Sequence, residues 1–565
     1  MFTAIKQVQI IVSLLKQYNI RHFVISPGTR HVPLVHSVEI DPFFTCYSVV
    51  DERSAGFVAL GLAESLRVPV CITCTSATAT CNYLPAIQEA FERHIQLIAL
   101  TADRARYQRF HGENQCINQV DMYRPFCRYS VDIPLINNED DYWYSNRCIN
   151  EVFIEVIRQK TPVQINFLEP LSIKELSTFE TSEIPLTRKI NLLKEKIDWQ
   201  FYAKELKGKK ILVICGLGNV NNSNLIDSLL LFNRKYEVVV ATDYFSNIQD
   251  DSFIHTPGMD EVLNYQEFLD LQPDLVISFG SKVYSRFGVY YRNKGIPHWY
   301  IDESGHLYDP MRTLTTIFEV EPKVFFFKLA SLGDGHNTFC YYKEWLKKVE
   351  RIHFDTTKFT NFVAIKRSIE ALPQNTIIHA SVLNSMRFLN YCNIPKGCKC
   401  FGNICTDGID GAFSTFLGQA RSTNQIALLI IGDLSYLYDL NASFDSLPSN
   451  VRIVLINNKA GAEFHYNISL ERISTLNVHI AASHNNLFKE VSEIAKIDYK
   501  LVRNLIELES VLKDFYNISN SAKIIEVLTD ADTDGKELRK MLQDNRLPIS
   551  RLKIIINKLQ RFLAL

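Results

Sequence analysis

Two apolar runs, LLIIGD and VRIVLINN, end in side chains able to hold a cation. Asp433 closes the first run and Asn457-Asn458 the second, with Asn458 twenty-five positions beyond Asp433. Short runs of this kind, bounded by turn residues, read as strands buried on both faces. Parallel strands open their carboxyl ends on one edge, where ligands bind. One carboxylate, one amide oxygen and a backbone carbonyl from the following turn make a hard-oxygen set of the sort Mg²⁺ takes, completed by phosphate and water. The expected ligand is therefore a diphosphate. Gly432 lets the backbone approach the phosphates, while the Ser435 hydroxyl and the helix start beside it can donate to the anion.

The elements that must carry this edge recur along the chain. RHFVISPG, VPVCITCTSATA and QLIALTADR read as strands, each followed by a turn and then by helical periodicity. KKILVICGLGNV, YEVVVATDY, PDLVISFGS and HWYIDES repeat the pattern, as do TIIHASVLNSMRF, KCFGN, QIALLIIGDLS and NVRIVLINN. Alternating strands and helices imply an α/β chain of three doubly wound parallel-sheet domains. The expected limits are 1–175, 190–345 and 355–530, with charged helical stretches between them and an amphipathic, basic tail over 531–565 that reads as a packing helix. A length of 565 residues suits this division.

Composition narrows the function. With 61 basic and 62 acidic side chains the chain has no net field for a polyanion, and no basic patch points to nucleic acid. No window approaches a membrane span, and the first twenty residues read as a helix and not as a signal peptide. Thirteen cysteines without a regular framework suit a reducing compartment, so a cytoplasmic location is expected. Cys71 and Cys74 form a CxxC on a strand, where residues three apart point to opposite faces and do not share a metal or redox site. Cys398 and Cys400 have no further ligand at metal spacing. In CGLGNV, Gly216 and Gly218 follow a strand, but the third glycine of a dinucleotide fingerprint is missing, and an ordinary βα turn is the preferred reading.

The Asp433 segment resembles the thiamine diphosphate motif, in which Gly-Asp-Gly is followed some two dozen residues later by Asn-Asn. GDLSYLYDLN is most similar to the branch of 2-succinyl-5-enolpyruvyl-6-hydroxy-3-cyclohexene-1-carboxylate synthases of menaquinone biosynthesis. SPGTR at 26–30, DERSAGFVALGLA at 51–63, and TADRAR with GENQ at 101–115 follow in matching order. The resemblance covers residues 1–530 and implies pyrimidine-binding, central and diphosphate-binding domains in that order. It implies that Glu52 hydrogen-bonds the aminopyrimidine ring and drives formation of the ylid. It also implies that Asp433, Asn458 and the Ala460 carbonyl hold Mg²⁺, with Mn²⁺ as an alternative. Gly432, Asp433, Leu434, Ser435, Asn403, Phe464 and Glu52 are the implied cofactor contacts. Arg30, Arg104, Asn114, Gln115, Arg286 and Arg421 are the implied contacts to the acid substrates, since guanidinium forks suit carboxylates.

The implied reaction is decarboxylation of 2-oxoglutarate and transfer of the acyl-anion equivalent to isochorismate; the alternative is a paralogous decarboxylase or carboligase with another acceptor. Glu52 and Asp433 lie in different domains, and in this family such groups meet across a subunit interface, so a homodimer or homotetramer is expected. Several positions depart from the pattern. Ile404 replaces an arginine and brings Asp407 nearby, Arg286 replaces a lysine, Glu463 replaces an isoleucine next to Phe464, and Ala77 stands where glycine is usual.

Overall fold

A computed structural model describes residues 1–168, 178–187, 189, 197–218, 223–282, 290–291, 294–305, 308, 310–311, 313–470 and 472–547. Its strands in chain order are β1 Phe2–Thr3, β2 His22–Ile25, β3 Thr45–Ser48, β4 Val70–Cys74, β5 Leu97–Asp103, β6 Tyr129–Ile133, β7 Val163–Leu168, β8 Phe179–Thr181, β9 Ile211–Cys215 and β10 Val238–Thr242. They continue with β11 Ile254–His255, β12 Leu275–Phe279, β13 His298–Ile301, β14 Leu314–Phe318, β15 Ile377–Ala380, β16 Lys399–Phe401, β17 Ala427–Gly432, β18 Val451–Asn457, β19 Asp498–Val502 and β20 Lys523–Leu528. They form three six-stranded sheets and a small antiparallel β1–β8 ribbon. All three large sheets are parallel, which gives the expected three doubly wound α/β units.

The first sheet runs β3-β2-β4-β5-β7-β6 and the third β16-β15-β17-β18-β20-β19. Counted within each domain, both follow the order 2-1-3-4-6-5. The middle sheet runs β11-β10-β9-β12-β13-β14, the 3-2-1-4-5-6 order of dinucleotide-binding folds. In the third sheet the strand order reverses between β15 and β17, so a crevice opens beyond Ala380 and Gly432. In the middle sheet the corresponding turn is tight: a Cβ on Gly216 would lie 3.0 Å from the Phe279 carbonyl oxygen. There Arg67 of the first domain also donates to the Gly218 carbonyl at 2.7 Å.

The strands are near-continuous β-branched and leucine runs because helices cover both faces. Cys71 and Cys74 on β4 show the alternation. Cys71 packs with the helix Lys6–Gln17 on one face, and Cys74 packs on the other, in a core shared with the third domain. That shared core centres on the helices Glu52–Leu66 and Ala412–Arg421. Their backbones touch through glycines: a Cβ on Gly61 would sit 2.0 Å from the Thr415 carbonyl oxygen, and one on Gly418 2.2 Å from that of Val58. No side chain fits either position. Among the described residues no helix is long and apolar enough to cross a membrane.

The joint also buries a carboxylate. Asp439 accepts from the Ser414 N–H at 2.7 Å and the Ser414 hydroxyl at 2.9 Å, with Arg53 Nη2 3.6 Å away. Burial outweighs these contacts and pushes Asp439 up to about 6. A raised carboxyl stabilises the fold fully below its unfolded value near pH 4. That contribution, on the order of 3 kcal/mol, is lost as pH rises through 6. Asp439→Asn removes this dependence, so thermal denaturation at pH 4.5 and 7.5 should show the variant faring better against the parent at the higher pH. A gap independent of pH would mean that Asp439 stays ionised in the folded chain.

Candidate active site

The third-sheet edge is built around Asp433. β17 delivers Gly432 in an extended conformation, and the helix Asp433–Tyr438 starts at once. Asp433 Oδ1 accepts from the Leu434 N–H at 2.7 Å, and Oδ2 accepts from the Lys459 N–H at 2.7 Å. The carboxylate is thereby fixed between the ends of β17 and β18. His484 stands beside it: its Nδ1 accepts from the Asn486 N–H at 3.2 Å, and its buried Nε2 lies 3.3 Å from Asp433 Oδ2 without a hydrogen bond.

Asn458 is oriented by Asp534, which accepts from its Nδ2 at 3.3 Å. Asp534 also accepts from the Thr529 hydroxyl at 2.7 Å and the Asn361 N–H at 3.0 Å. Burial pushes Asp534 up to about 7 against these donors. With its amide nitrogen engaged, Asn458 can turn its oxygen toward a cation. Lys459 follows at φ 65°, which redirects the turn so that Ala460 comes next to Gly461. Gly461 is compact for a reason: a Cβ there would meet the Phe464 ring at 2.8 Å. Phe464 therefore lies over this turn.

These residues fit a diphosphate with a divalent cation. A Cβ on Gly432 would meet nothing within 4 Å, so open space stands at the strand end. The Gly432 N–H donates to Ser381 Oγ at 3.3 Å, which brings the β15 turn to the same place. Ser435 donates to the Ile409 carbonyl at 2.6 Å, so its hydroxyl braces the loop beside the crevice. Among the described residues no three His, Cys, Asp or Glu side chains form a metal cage. A cation here would depend on Asp433, the Asn458 amide, the Ala460 carbonyl and oxygens of the ligand.

A second cluster forms on the carboxyl edge of the first sheet. Glu52 opens its helix behind Asp51, whose side chain caps the Ser54 N–H at 2.8 Å. Glu52 follows β3, the neighbour of β2 in the first sheet, and so stands on this edge. Arg30 follows β2 on a turn pressed against β4, where a Cβ on Gly28 would lie 2.3 Å from Thr75 Cβ. Arg104 follows β5, and its Nε is buried without a hydrogen-bond partner, which suits it to an incoming anion. Asn114 and Gln115 lie exposed on the next loop, tied in where Ser76 Oγ donates to the Gln115 carbonyl at 2.9 Å. Ala77, in the place of a usual glycine, has φ 71° and ψ −129°, a region that costs an L-residue about 1–3 kcal/mol. It is held by donating its N–H to Gln119 Oε1 at 2.7 Å.

Other expected contacts lie elsewhere. Arg421 precedes β17, so the strand's six residues, roughly 20 Å, separate it from Asp433 in the same chain. It donates to the Ser446 carbonyl at 3.3 Å and lines an open groove of about 580 Å³ with Tyr47 and Asn450. Asn403 is buried in the joint, donating to Thr415 and accepting from Arg93, both at 3.2 Å. Arg286 lies outside the described residues. Among the described residues no hydrogen bond or ion pair joins Glu52 to Asp433.

Sequence reading missed two cations. Lys282 donates to the Ile404 carbonyl at 2.8 Å and stands 3.7 Å from Asp407, so a positive charge from the middle domain reaches the loop that lacks its arginine. Ile404 itself is buried in the apolar core of the third domain. The second cation is Arg387, bound in a bidentate pair by Glu463. Neither pairing has a local signal, because the partners lie far apart in sequence.

Residues 5–122 match the family described as thiamine pyrophosphate enzyme, N-terminal TPP binding domain. Over 559 residues the chain is 30% identical to a protein of Bacteroides fragilis named 2-succinyl-5-enolpyruvyl-6-hydroxy-3-cyclohexene-1-carboxylate synthase, spanning 95% of this chain and 99% of that one. Proteins of the same name from Phocaeicola vulgatus and Flavobacterium johnsoniae are also 30% identical, over 96% and 92% of this chain and 98% and 95% of theirs. Among solved structures, benzoylformate decarboxylase from Polynucleobacter necessarius aligns with a TM-score of 0.69 at 14% identity, over 94% of this chain and 99% of that one. At that identity the likeness is one of fold. If the Asp433 edge holds the cation, Asp433→Asn should weaken binding of thiamine diphosphate with Mg²⁺ by about 100-fold in calorimetry, with circular dichroism unchanged. Equal affinity in parent and variant would move the site elsewhere.

Proposed function

The chain belongs to the 2-succinyl-5-enolpyruvyl-6-hydroxy-3-cyclohexene-1-carboxylate synthase family of thiamine diphosphate-dependent enzymes, and on that premise we propose that it decarboxylates 2-oxoglutarate and transfers the resulting four-carbon acyl-anion equivalent to isochorismate. The observation that carries this reading is the Asp433 edge, a single fixed carboxylate beside an oriented amide, with open space over Gly432. Mg²⁺ is the proposed cation, held by Asp433, Asn458 and the Ala460 carbonyl. When bound, thiamine diphosphate supplies an electron sink for the carbanion left by loss of CO₂.

The chain's own groups do the rest. Glu52 shares a proton with the aminopyrimidine ring nitrogen and so favours the tautomer that can act as a base. The Leu434 N–H is held by Asp433, and the Ser435 N–H at the helix start is the group proposed to face the diphosphate. Phe464 covers the loop and keeps water from the reacting centre. Arg30 and Arg104 meet substrate carboxylates from the first-sheet edge, with the amides of Asn114 and Gln115 beside them. Lys282 adds a cation where Ile404 stands, and Arg286 is proposed to do so from the middle domain.

Glu52 and Asp433 are proposed to meet across a subunit interface, in a homodimer or an assembly of dimers. Support comes from the surface around Glu52. Val50 is 74% exposed, Tyr438 56% and Phe444 57%, a set of apolar side chains that a second copy would cover. Arg53 ties this surface together by donating to the Tyr438 carbonyl at 3.0 Å and to Asn441 at 3.2 Å. A cytoplasmic location belongs to the same proposal.

A second reading, a paralogue with a different acceptor, is favoured by one observation: Ile404 is turned into the core and offers no fork to a carboxylate. Mass spectrometry of products from 2-oxoglutarate plus isochorismate separates the two. The proposal expects the cyclohexene adduct from the parent, with at least a 100-fold loss in Glu52→Gln. Release of succinic semialdehyde regardless of isochorismate would support the paralogue.

A further inference from the structure

Arg387 is a deeply held cation near the proposed site. It lies on the helix Asn384–Asn390, which follows the turn of Ser381, the residue that accepts the Gly432 N–H. Ser381 Oγ donates to Ser385 Oγ at 3.1 Å, so the helix start is anchored to the same crevice. The side chain reaches toward the metal loop. There Nη1 and Nη2 donate to the two oxygens of Glu463 at 2.5 and 3.0 Å, and Nε donates to Glu261 Oε1 at 3.0 Å. Glu463 is three residues past Ala460, on the short helix Ala462–Tyr466.

The pairing has a chemical meaning. A guanidinium fork recognises one planar carboxylate in bidentate fashion, and Glu463 occupies that fork with the geometry of a ligand. The pair faces a cavity of about 360 Å³ lined also by Asn264, Tyr290, Tyr466 and Arg546, whose guanidinium donates to the Glu261 carbonyl. Glu261 is a second carboxylate on the same cation, and it is fixed from behind by the Tyr391 hydroxyl. Two acids on one arginine leave no charge for a third. A substrate carboxylate can therefore use Arg387 only if one of the two leaves.

The anchors outside the fork decide which one leaves. Glu463 has 23% of its side chain in contact with solvent against 16% for Glu261, and it stands on a five-residue helix at the cavity wall. Glu261 has its second oxygen on Tyr391 and gives only a single bond to the arginine. Glu463 is thus the partner free to swing outward.

We propose that Glu463 is an internal competitor for the substrate: it occupies the Arg387 fork as a displaceable counter-ion, and so sets how tightly the enzyme takes a carboxylate-bearing 2-oxo acid. The inference deepens the proposed function and rests on it. A 2-oxo acid with a distal carboxylate must expel Glu463 to reach Arg387, whereas one with an uncharged chain leaves the pair intact. Glu463 then penalises the dicarboxylic substrate selectively, and removing its charge lifts the penalty while Glu261 still neutralises Arg387.

The test compares KM and kcat for CO₂ release from 2-oxoglutarate and from 2-oxobutyrate in the parent, Glu463→Gln and Glu463→Asp, each loaded with thiamine diphosphate and Mg²⁺. The proposal expects KM for 2-oxoglutarate to fall at least 10-fold in Glu463→Gln and by less in Glu463→Asp, which keeps the charge on a shorter arm. KM for 2-oxobutyrate should stay within about 2-fold. An unchanged or raised KM for 2-oxoglutarate, or an equal fall for both acids, would overturn it. If Glu463→Gln does not fold, Glu463→Asp alone carries the comparison: KM for 2-oxoglutarate should fall while that for 2-oxobutyrate stays within about 2-fold, and an unchanged KM or an equal fall for both would overturn the proposal. Absence of CO₂ release from either acid in the parent counts instead against the proposed function.

Discussion

A diphosphate and its cation need one fixed carboxylate at an open strand end, and the Lys459 N–H bond to Asp433 provides it. That 2.7 Å contact ties the end of β17 to the turn after β18. The two strands lie side by side in register from Ala427 with Val451 to Gly432 with Ile456. Because a parallel pair opens both ends on one edge, the carboxylate and the Asn458 amide arrive together without any long-range adjustment. Asp534 then orients the amide from the next layer, with His484 packed beside the carboxylate. A slip of one residue in β17 would turn Asp433 into the core, so the buried faces of this sheet and the chemistry at its edge are set by the same register.

The other end of the cofactor requires an acid, and the chain places Glu52 at the corresponding edge of a sheet with the same strand order. The helix that begins at Glu52 packs so closely on the helix Ala412–Arg421 that only glycine fits at positions 61 and 418. This contact packs the first and third domains on one core. It also leaves Val50, Tyr438 and Phe444 at the surface. An apolar face near the acid favours a second copy as the carrier of the opposite edge.

The strands and the Asp433 edge were legible because their signals are local: apolar runs, a two-residue alternation and a carboxylate at a run's end. The opposite placement of Cys71 and Cys74 followed from the same alternation. Pairings between residues far apart in sequence were not legible. Arg387 and Glu463 lie 76 positions apart, and Lys282 lies 122 from Ile404, so no window of sequence contains either pair. Arg421 precedes β17 and so lies at the opposite edge of its own sheet from Asp433. Asn403 follows β16, and its amide bonds Arg93 and Thr415. For such residues the sequence shows chain position and not side-chain direction.

The central claim is that Glu52 of one chain and Asp433 of another complete a single site. Mixing Glu52→Gln with Asp433→Asn after dissociation and reassembly tests it most directly. Each hybrid dimer would contain one site with both parental residues, so random pairing should restore about a quarter of parental activity from two inactive proteins. If both residues served a site within their own chain, every site in the mixture would carry a lesion. Activity staying at the level of the separate variants, with hybrid dimers confirmed by mass, would contradict the account.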